Sequence, residues 1–350
     1  MILKEAFEIQ AKSNKGLGSP FTANVLRILG RLTSEDNAVT RKMRAFEGDI
    51  TPFGASVPLR LLGGMNALVL RGDSPELAAL WPPNSGPEDA LETALAEAMT
   101  RHETVLLHWL DSPPQTNEVR RAAVLIAAGH WLAQRVDLPF VLSELGAAGG
   151  LNMMWDRFRL DLPDGTLGPA DSPVRLAPDW RGPCPPAALV RIADRRGVDL
   201  NPLNTQDPED ALRLLSYIWA DQHDRIARTR AAIALAQATV DRGDAAAWLE
   251  ARLATPRPGA LHLVYHTIAW QYFPEDTKAR CRAALTQAGT RATTEAPLAH
   301  LSMEADEQHG KGAVIELTLW PGGARMTLGR VDFHGRWVDW RAPGRHSEHG

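Results

Sequence analysis

The chain has 350 residues, of which 44% are hydrophobic and 23% charged, and its formal net charge at pH 7 is −4. This length and composition are typical of a globular protein of two domains, because domains usually contain ~100–200 residues. The negative charge is not that of a protein that binds nucleic acid or an anionic membrane, so we expect neither partner. Cys184 and Cys281 lie outside any CxxC motif, which argues against a disulfide framework and a cysteine-built metal site.

The sequence offers no candidate for a secretory or membrane-spanning segment. Residues 1–8 carry charges where a signal peptide needs its apolar core. The apolar run 122–133 is interrupted by Gly129 and His130 and is shorter than the ~20 residues that cross a bilayer. We therefore expect a cytoplasmic protein, and nothing in the pattern indicates its oligomeric state.

Residues 1–136 are predicted to form an all-helical N-terminal domain that covers a substrate. Ser19-Pro20 is typical of a capped helix start. The same apolar periodicity recurs at 58–70, 87–110 and 117–136, with Gly-Asp-Ser-Pro and Asp-Ser-Pro-Pro breaks between these segments. The helix from residue 117 has an alternative position, packed on the sheet that follows instead of on the N-terminal helices.

Residues 137–340 alternate between strand and helix patterns, which predicts an α/β domain with a mostly parallel, Rossmann-like sheet. About seven strands are expected. The first five would be parallel, and the last two would form a terminal antiparallel hairpin; they are predicted at 140–145, before Asp199, at 239–243, 261–266, 298–303, 313–319 and 324–333. Asp164-Gly165 indicates a β-hairpin inserted near 157–180. Residues 341–350 are predicted to be a flexible tail.

The segment 139–152 places a carboxylate at the end of the first strand and small residues directly after it. Its candidate ligand-binding residues are Glu144, Gly146, Ala147, Gly150 and Asn152. Small residues let a backbone approach a ligand, and a following helix would offer free N–H groups. A carboxylate suits ribose hydroxyls or a cationic cofactor better than it suits phosphate. The alternative is an ordinary structural turn between a strand and a helix.

Polar residues also follow the other parallel strands, where ligands bind in open α/β sheets. They are Asp199 with Asn201, Asp244 with Ala245, and His266. Each acid has an alternative role as a helix cap, which contributes ~1 kcal/mol. His266 is a candidate general base, or else a core histidine that bonds to backbone. Trp270 and Tyr272 follow it and would place aromatic faces near a cation.

Glu144-x-Gly146-x-x-x-Gly150 resembles the first motif of Rossmann-like S-adenosylmethionine (SAM) methyltransferases, acid-x-Gly-x-Gly-x-Gly, with Ala148 replacing the middle glycine. The resemblance implies that the acid after the second strand, Asp199, holds the ribose hydroxyls. It also implies that Asp244, in Gly-Asp-Ala, receives the adenine amino group. Asp199 follows Glu144 by 55 residues, against ~20 in dinucleotide-binding units, and the inserted hairpin accounts for the excess.

Three polar and aromatic clusters are candidates for substrate binding, with helix caps and core packing as the alternatives. They comprise Gln115, Asn117 and Glu118, then Trp155 and Asp156, and finally Trp219 and Asp221.

Several of these motifs together resemble one bacterial family, the domain of unknown function 2332. They are Gln115-Thr-Asn-Glu-Val, Glu144-Leu-Gly-Ala, Gly197-Val-Asp-Leu-Asn-Pro-Leu and Trp219 with Asp221-Gln. The chain departs from the family where Ala148-Gly149 stands for Ser-Ala and Ala220 for proline. The resemblance implies common ancestry with this family, and the family name states no activity.

The leading hypothesis is a SAM-dependent methyltransferase acting on a small molecule, with His266 and Tyr272 as its catalytic residues. One alternative is a non-catalytic ligand-binding or regulatory protein on the same scaffold, since fold does not imply function. A nicotinamide oxidoreductase is less favoured, because Glu144 would lie beside the pyrophosphate. A metal hydrolase using Asp199, Asp221, His223 and His266 is a fourth possibility, although no metal-site motif is present and we predict no metal.

Overall fold

The computed structural model describes residues 3–52, 54–308 and 310–344, so most of the predicted tail, 345–350, lies outside the described residues. The described α-helices are α1 Leu3–Gly16, α2 Pro20–Leu32, α3 Ala38–Arg44, α4 Val57–Arg71, α5 Pro75–Ala78, α6 Glu88–Arg101, α7 Glu103–Asp111, α8 Ala122–Ala133, α9 Pro208–Ser216, α10 His223–Leu235, α11 Ala245–Arg252 and α12 Glu275–Gly289. Short 3₁₀ helices occupy Val119–Arg121, Leu151–Arg157 and Trp270–Tyr272. Among these helices none combines the length and the apolar character needed to cross a membrane.

The strands follow the predicted chain order, with additions. They are β1 Phe140–Leu145, β2 Arg159–Leu162, β3 Gly165–Leu167, β4 Arg175–Leu176, β5 Asp179–Arg181, β6 Ile192–Asp199, β7 Thr239–Arg242, β8 Leu261–Thr267, β9 Leu298–Glu304, β10 Ala313–Trp320, β11 Ala324–Val331 and β12 Trp337–Trp340.

One large sheet of nine strands has the order β5-β12-β11-β10-β9-β8-β1-β6-β7. The neighbours from β7 to β9 run parallel, β9 to β12 are antiparallel, and β5 is parallel to β12. A mixed α/β protein with a large, mostly parallel sheet is therefore confirmed. The central strands β1 and β8 are buried along their whole length, as apolar runs covered on both faces should be.

The sheet has more strands than the expected seven, because β5 and β12 extend it. These strands contain only three and four residues, too few to show the period-two alternation by which strands are recognised. The inserted hairpin is present as β2 and β3, which belong with β4 to a separate three-stranded sheet. Trp180, at the end of the predicted insertion, instead belongs to the large sheet through β5.

The chain divides into two compact units, residues 1–116 with 206–227 and residues 117–205 with 228–350. The boundary predicted from the sequence lies at 136, whereas α8 belongs to the second unit. Eleven of the twelve residues of α8 are buried. A helix that is apolar on all sides must be covered on all sides, which explains why its own sequence does not show which unit it joins.

Each unit has its own apolar core. In the first unit α1 and α2 pack closely, and a Cβ added to Gly30 would lie 3.0 Å from the Cβ of Phe7. In the second unit one core lies between the central strands and helices α11 and α12, around Leu145, Val264 and Leu249. On the opposite face of β1, Trp155 packs against Phe140 with 6.4 Å between ring centroids.

Candidate functional site

Glu144 is a buried carboxyl group at the carboxyl end of β1. Glu144 is 2% exposed, and its Oε2 atom has no hydrogen-bond partner among the described residues. Burial, followed by the charge of Asp199, raises the pKa of Glu144 well above its usual value, while Arg121 acts in the opposite direction. The protonated form of this carboxyl group is therefore favoured at a pH where an exposed glutamate is ionised.

Other polar atoms near the end of β1 are also buried and unpartnered. Tyr265 pairs with Glu144 across the β1–β8 ladder, and its hydroxyl group has no partner within the described ranges. The same holds for Asn152 Oδ1, on the 3₁₀ segment that follows the loop. Trp155 Nε1 on that segment is also unpartnered among the described residues, but its ring packs against Phe140 at the start of β1. Buried polar atoms are rarely left unpaired in folded proteins, so these atoms indicate a place where water or a ligand binds.

The glycine-rich loop is held by hydrogen bonds to the protein itself. The amides of Gly146 and Ala147 donate to Val198 O at 2.9 and 3.1 Å. Gly146 has φ +70°, and a Cβ added there would lie 2.6 Å from the Cβ of Ala269. Glycine is thus needed at this position both for its backbone conformation and for the close approach of the loop after β8.

The segment after the loop differs from the predicted α-helix. Leu151–Arg157 is a 3₁₀ helix, and Gly150 precedes it with φ +71°. The Leu151 amide donates to Asn117 Oδ1 at 3.0 Å, and Asn152 Nδ2 donates to Glu118 O at 3.2 Å. The first N–H group of this helix, that of Leu151, is therefore already bonded to a side chain 34 residues away.

Asp199 links the end of β6 to the loop after β1. Its Oδ2 accepts the amide of Ala148 at 2.9 Å, and its Oδ1 accepts the amide of Asn201 at 2.8 Å. Asn201 itself is exposed and accepts a hydrogen bond from Arg242. The predicted cofactor residues Glu144 and Asp199 thus lie at one continuous edge of the sheet.

Asp244 is the N-cap of α11. Its Oδ1 accepts the amide of Ala247 at 3.0 Å, and its Oδ2 accepts the hydroxyl group of Thr277 at 3.0 Å. The pKa of this carboxyl group is lowered, mainly by the hydrogen bond from the Ala247 amide. Ala245 is the buried first residue of the helix. The capping alternative therefore accounts for the contacts of Asp244 without a ligand.

His266 lies at the buried end of β8 with both ring nitrogens engaged. Nδ1 is 2.7 Å from Glu304 Oε1, and Nε2 is 3.1 Å from His300 Nε2. An ionised carboxylate only accepts, so Nδ1 carries a hydrogen, and in the neutral ring Nε2 is then the acceptor. Burial, followed by His266, lowers the pKa of His300 to about 3. The ring of His266 is fixed by the protein and has no nitrogen free for a substrate in this arrangement.

The aromatic residues after His266 do not form an open cation-binding face. Trp270 stacks on His266 with 4.7 Å between ring centroids, and Arg282 lies 5.3 Å from the centre of the Trp270 ring. Tyr272 is 76% exposed. Its predicted catalytic role gains no support from this exposure.

The remaining predicted residues of the second unit are held by their own contacts. Asp156 forms a bidentate pair with Arg195 at 2.8 and 3.1 Å. Glu118 is buried, and its Oε1 accepts the amide of Arg120. Trp155 is fully buried against Phe140.

Three predicted substrate residues lie in the first unit. Gln115 is half-buried, and Trp219 packs against the apolar core. Asp221 accepts the amide of Phe21 at 3.0 Å and the hydroxyl group of Thr22 at 2.8 Å. It therefore caps the start of α2, as the helix-cap alternative expects. Across the described residues there is no group of three His, Cys, Asp or Glu side chains arranged to hold a metal ion.

A family model described as "Uncharacterized protein conserved in bacteria", domain of unknown function 2332, matches residues 4–340. The chain belongs to this family. No curated protein matches it. The matched residues include both compact units, but the family description gives no activity. The function must therefore be argued from the site.

In this family member, two features of the site were missed by the sequence analysis. Glu304 is the last residue of β9, and the rule that selected the other strand-end acids would have found it. Ala148 and Ile268 both have φ +51°, in the loops after β1 and β8. A β-branched residue rarely adopts this conformation, and no sequence pattern reveals it. Such strain costs ~1–3 kcal/mol and often accompanies functional sites.

Proposed function

We propose that the protein is a SAM-dependent methyltransferase acting on a small molecule, on a Rossmann-like scaffold. The observation that carries the proposal is the contact between Asp199 and Ala148. It joins the acid after β6 to the small-residue loop after β1, beside the unpartnered carboxyl group of Glu144. The proximity of two of the three acids that the methyltransferase resemblance implies supports the proposal.

The strand order supports a ligand site at this edge. Numbered by their place in the chain, the parallel strands β1, β6, β7, β8 and β9 have the order 3-2-1-4-5. Connections therefore reverse direction between β1 and β8. In open α/β sheets the ligand binds beyond the carboxyl ends of the strands at such a point. Gly146 and Ala269 meet there, between the two strained loops.

The donor set favours SAM over a dinucleotide. A pyrophosphate needs free backbone N–H groups, but the amides of Gly146, Ala147 and Ala148 already donate to Val198 and Asp199. SAM carries no phosphate, and its ribose hydroxyls and amino groups are donors that carboxyl oxygens accept. In the proposal Asp199 accepts hydrogen bonds from the ribose hydroxyls, and Asp244 accepts one from the adenine amino group. Glu144 binds a polar group of the ligand at the buried end of the site.

Bound SAM would supply the reactive methyl group, and the protein would align the acceptor with it and exclude water. Glu304 holds the Nδ1–H tautomer of His266 and directs Nε2 away from the carboxylate. His266 would accept a proton at Nε2 once its contact with His300 opens. This assigns Glu304 a positioning role.

A second candidate is a ligand-binding protein that does not catalyse methyl transfer. The specific observation in its favour is that both ring nitrogens of His266 already have protein partners. On this account the same edge binds SAM or a related nucleoside, and binding itself is the function.

The binding claim is tested by titration calorimetry with S-adenosylhomocysteine. Glu144→Ala should abolish binding with little loss of fold, because an unpartnered buried carboxyl group contributes little to stability. Glu307→Ala, an exposed acid after β9, is the matched control and should bind like the wild type. Wild-type affinity in Glu144→Ala would remove Glu144 from the site.

The catalytic claim is tested by methyl transfer from labelled SAM to small molecules in a bacterial extract. His266→Ala should still bind S-adenosylhomocysteine but lose turnover. If its melting temperature and its activity fall together, His266 is a structural residue. Saturable binding with no labelled product from any fraction would favour the non-catalytic candidate.

A further inference from the structure

A second cluster of polar groups lies at the opposite end of the sheet, where β8 begins. A small surface cleft there is lined by Thr255, Arg257, His262 and Arg291, with alanine, proline and leucine side chains between them. It lies in the second unit and shares no residue with the edge that carries Glu144. No Asp or Glu is among its lining residues.

A chain of hydrogen bonds fixes the state of His262. Arg252 Nε donates to Ser143 Oγ at 3.1 Å, and Ser143 Oγ lies 2.8 Å from His262 Nε2. An arginine can only donate, so the serine hydroxyl hydrogen remains available for a bond to Nε2, and we assign Nε2 as the acceptor of that hydrogen. Burial, with Arg252 and Arg257 as further causes, lowers the pKa of His262 to about 3, so the ring is neutral at pH 7.

The neutral ring then carries its single hydrogen on Nδ1. His262 is 5% exposed and lines the cleft, and Nδ1 has no hydrogen-bond partner in the described part of the chain. The buried Ser143–Arg252 pair thus directs an N–H donor outward.

Two guanidinium groups add positive charge to this donor. Arg291 is held in place because it donates to Leu253 O at 2.8 Å and Gln287 O at 3.3 Å. Arg257 is exposed and has no salt bridge among the described residues, and its charge acts on Asp194, whose carboxylate is already paired with Arg252. Exposed arginines elsewhere in the chain commonly pair with acids, as Arg280 does with Glu250. Two guanidinium groups that line one cleft are suited to a planar or tetrahedral oxyanion.

We infer that this cleft is an anion-binding site for the phosphate group of a small metabolite or for free phosphate. Arg257, Arg291, Thr255 and the Nδ1–H of His262 would be its donors. The cleft is shallow and open to solvent. That shape admits a compact oxyanion at the surface and excludes burial of a whole nucleotide. The inference does not depend on the proposed methyltransferase function.

The test is a ³¹P NMR titration of the full chain with inorganic phosphate at low ionic strength. We expect saturable binding that weakens at least tenfold in Arg257→Ala, a substitution at an exposed side chain that leaves the core intact. Arg230→Ala is the matched control, because Arg230 is exposed and far from the cleft in sequence. It should bind phosphate as the wild type does.

Two results would overturn the inference. One is the absence of saturable binding by the wild type, and the other is equal weakening in both variants, which would show only general charge screening. Glycerol phosphate identifies the source in a parallel titration. If glycerol phosphate binds more tightly than inorganic phosphate, the natural ligand is a phosphorylated metabolite. If it binds more weakly, the natural ligand is free phosphate. Either result supports the site. SAM binding is measured separately, so failure of one proposal leaves the other untouched.

Discussion

The burial of Glu144 beside Asp199 gives this carboxyl group a pH dependence that stability measurements can detect. Its pKa is raised in the folded state above the usual 4.5. The stability that it contributes is therefore fully present below about pH 4.5, and it is lost as the pH rises towards and through the folded-state pKa. Glutamine at the same position keeps the shape and does not titrate.

We predict that Glu144→Gln becomes more stable relative to the wild type as the pH rises from 5 to 8. The difference in unfolding free energy should grow by at most ~1.4 kcal/mol per pH unit, the limit for one proton. Urea unfolding of both proteins across this range measures it, and shared contributions from other groups cancel. A difference that does not change with pH would show that Glu144 titrates like an exposed acid.

Glu304 is the second residue whose role is decided by its contacts. Its Oε1 accepts His266 Nδ1, the Ala269 amide at 3.0 Å and the Trp270 amide at 3.2 Å. Hydrogen bonds to a charged group contribute ~1.5–3 kcal/mol, against ~1 kcal/mol for neutral pairs. One carboxylate oxygen thus fixes both the histidine tautomer and the turn after β8.

Glu304→Gln is expected to lower the unfolding free energy by ~1–3 kcal/mol in urea denaturation, because the charge is lost while an acceptor oxygen remains. Glu307→Gln, an exposed acid nearby in sequence, should change it by less than ~0.5 kcal/mol. Equal stability of the two variants would mean that the Glu304 contacts contribute nothing.

At the scale of elements, the loop after β1 is held against the loop after β8. Gly146→Ala should destabilise the protein by ~2–4 kcal/mol, because a strained φ is combined with a Cβ 2.6 Å from that of Ala269. Gly259→Ala isolates the strain, since its φ is +78° but no atom lies within 4 Å of the added Cβ. It should cost only ~1–2 kcal/mol. Urea unfolding measures the loss of unfolding free energy in each variant. Equal losses in Gly146→Ala and Gly259→Ala would show that the two loops do not pack tightly.

Helix α2 is capped by a residue from far along the chain. The side chain of its own N-cap, Ser19, makes no capping bond, and Asp221 takes this role. Asp221→Ala should therefore cost ~1–2 kcal/mol in urea unfolding. Asp73→Ala, at an exposed acid in the same unit, should cost less than ~0.5 kcal/mol. If the two variants are equally stable, Asp221 does not cap the helix.

The contacts of these elements explain which site predictions could come from the sequence. The ends of β1 and β8 were recognisable because these two strands are local apolar runs, whereas β6 and β7 carry charged residues along their length. That Asp199 bonds the Ala148 amide depends on pairing between strands over 50 residues apart, which no local pattern contains. The partners of Asp221 lie 199 and 200 residues away and those of His266 lie 34 and 38 residues away, so both side chains looked free to meet a substrate.

At the scale of the whole molecule, the parallel half of the sheet was predictable and its outer edge was not. Strands such as Leu261–Thr267 are long enough to show their apolar run between turn residues. β12 pairs with β5 across more than 150 residues, and only tertiary contacts make these short segments strands. The same limit applies to α8 and to residues 206–227, whose place in the two units depends on packing.

The central claim, a SAM site at the carboxyl ends of β1 and β6, is tested most directly by thermal unfolding of the purified protein with SAM, S-adenosylhomocysteine or NAD. A ligand at ~100 times its dissociation constant stabilises the folded state by ~2.7 kcal/mol, or several degrees of melting temperature. We predict a saturable rise with SAM and S-adenosylhomocysteine and none with NAD. No rise with either SAM-type ligand, or a rise with NAD alone, would contradict the account.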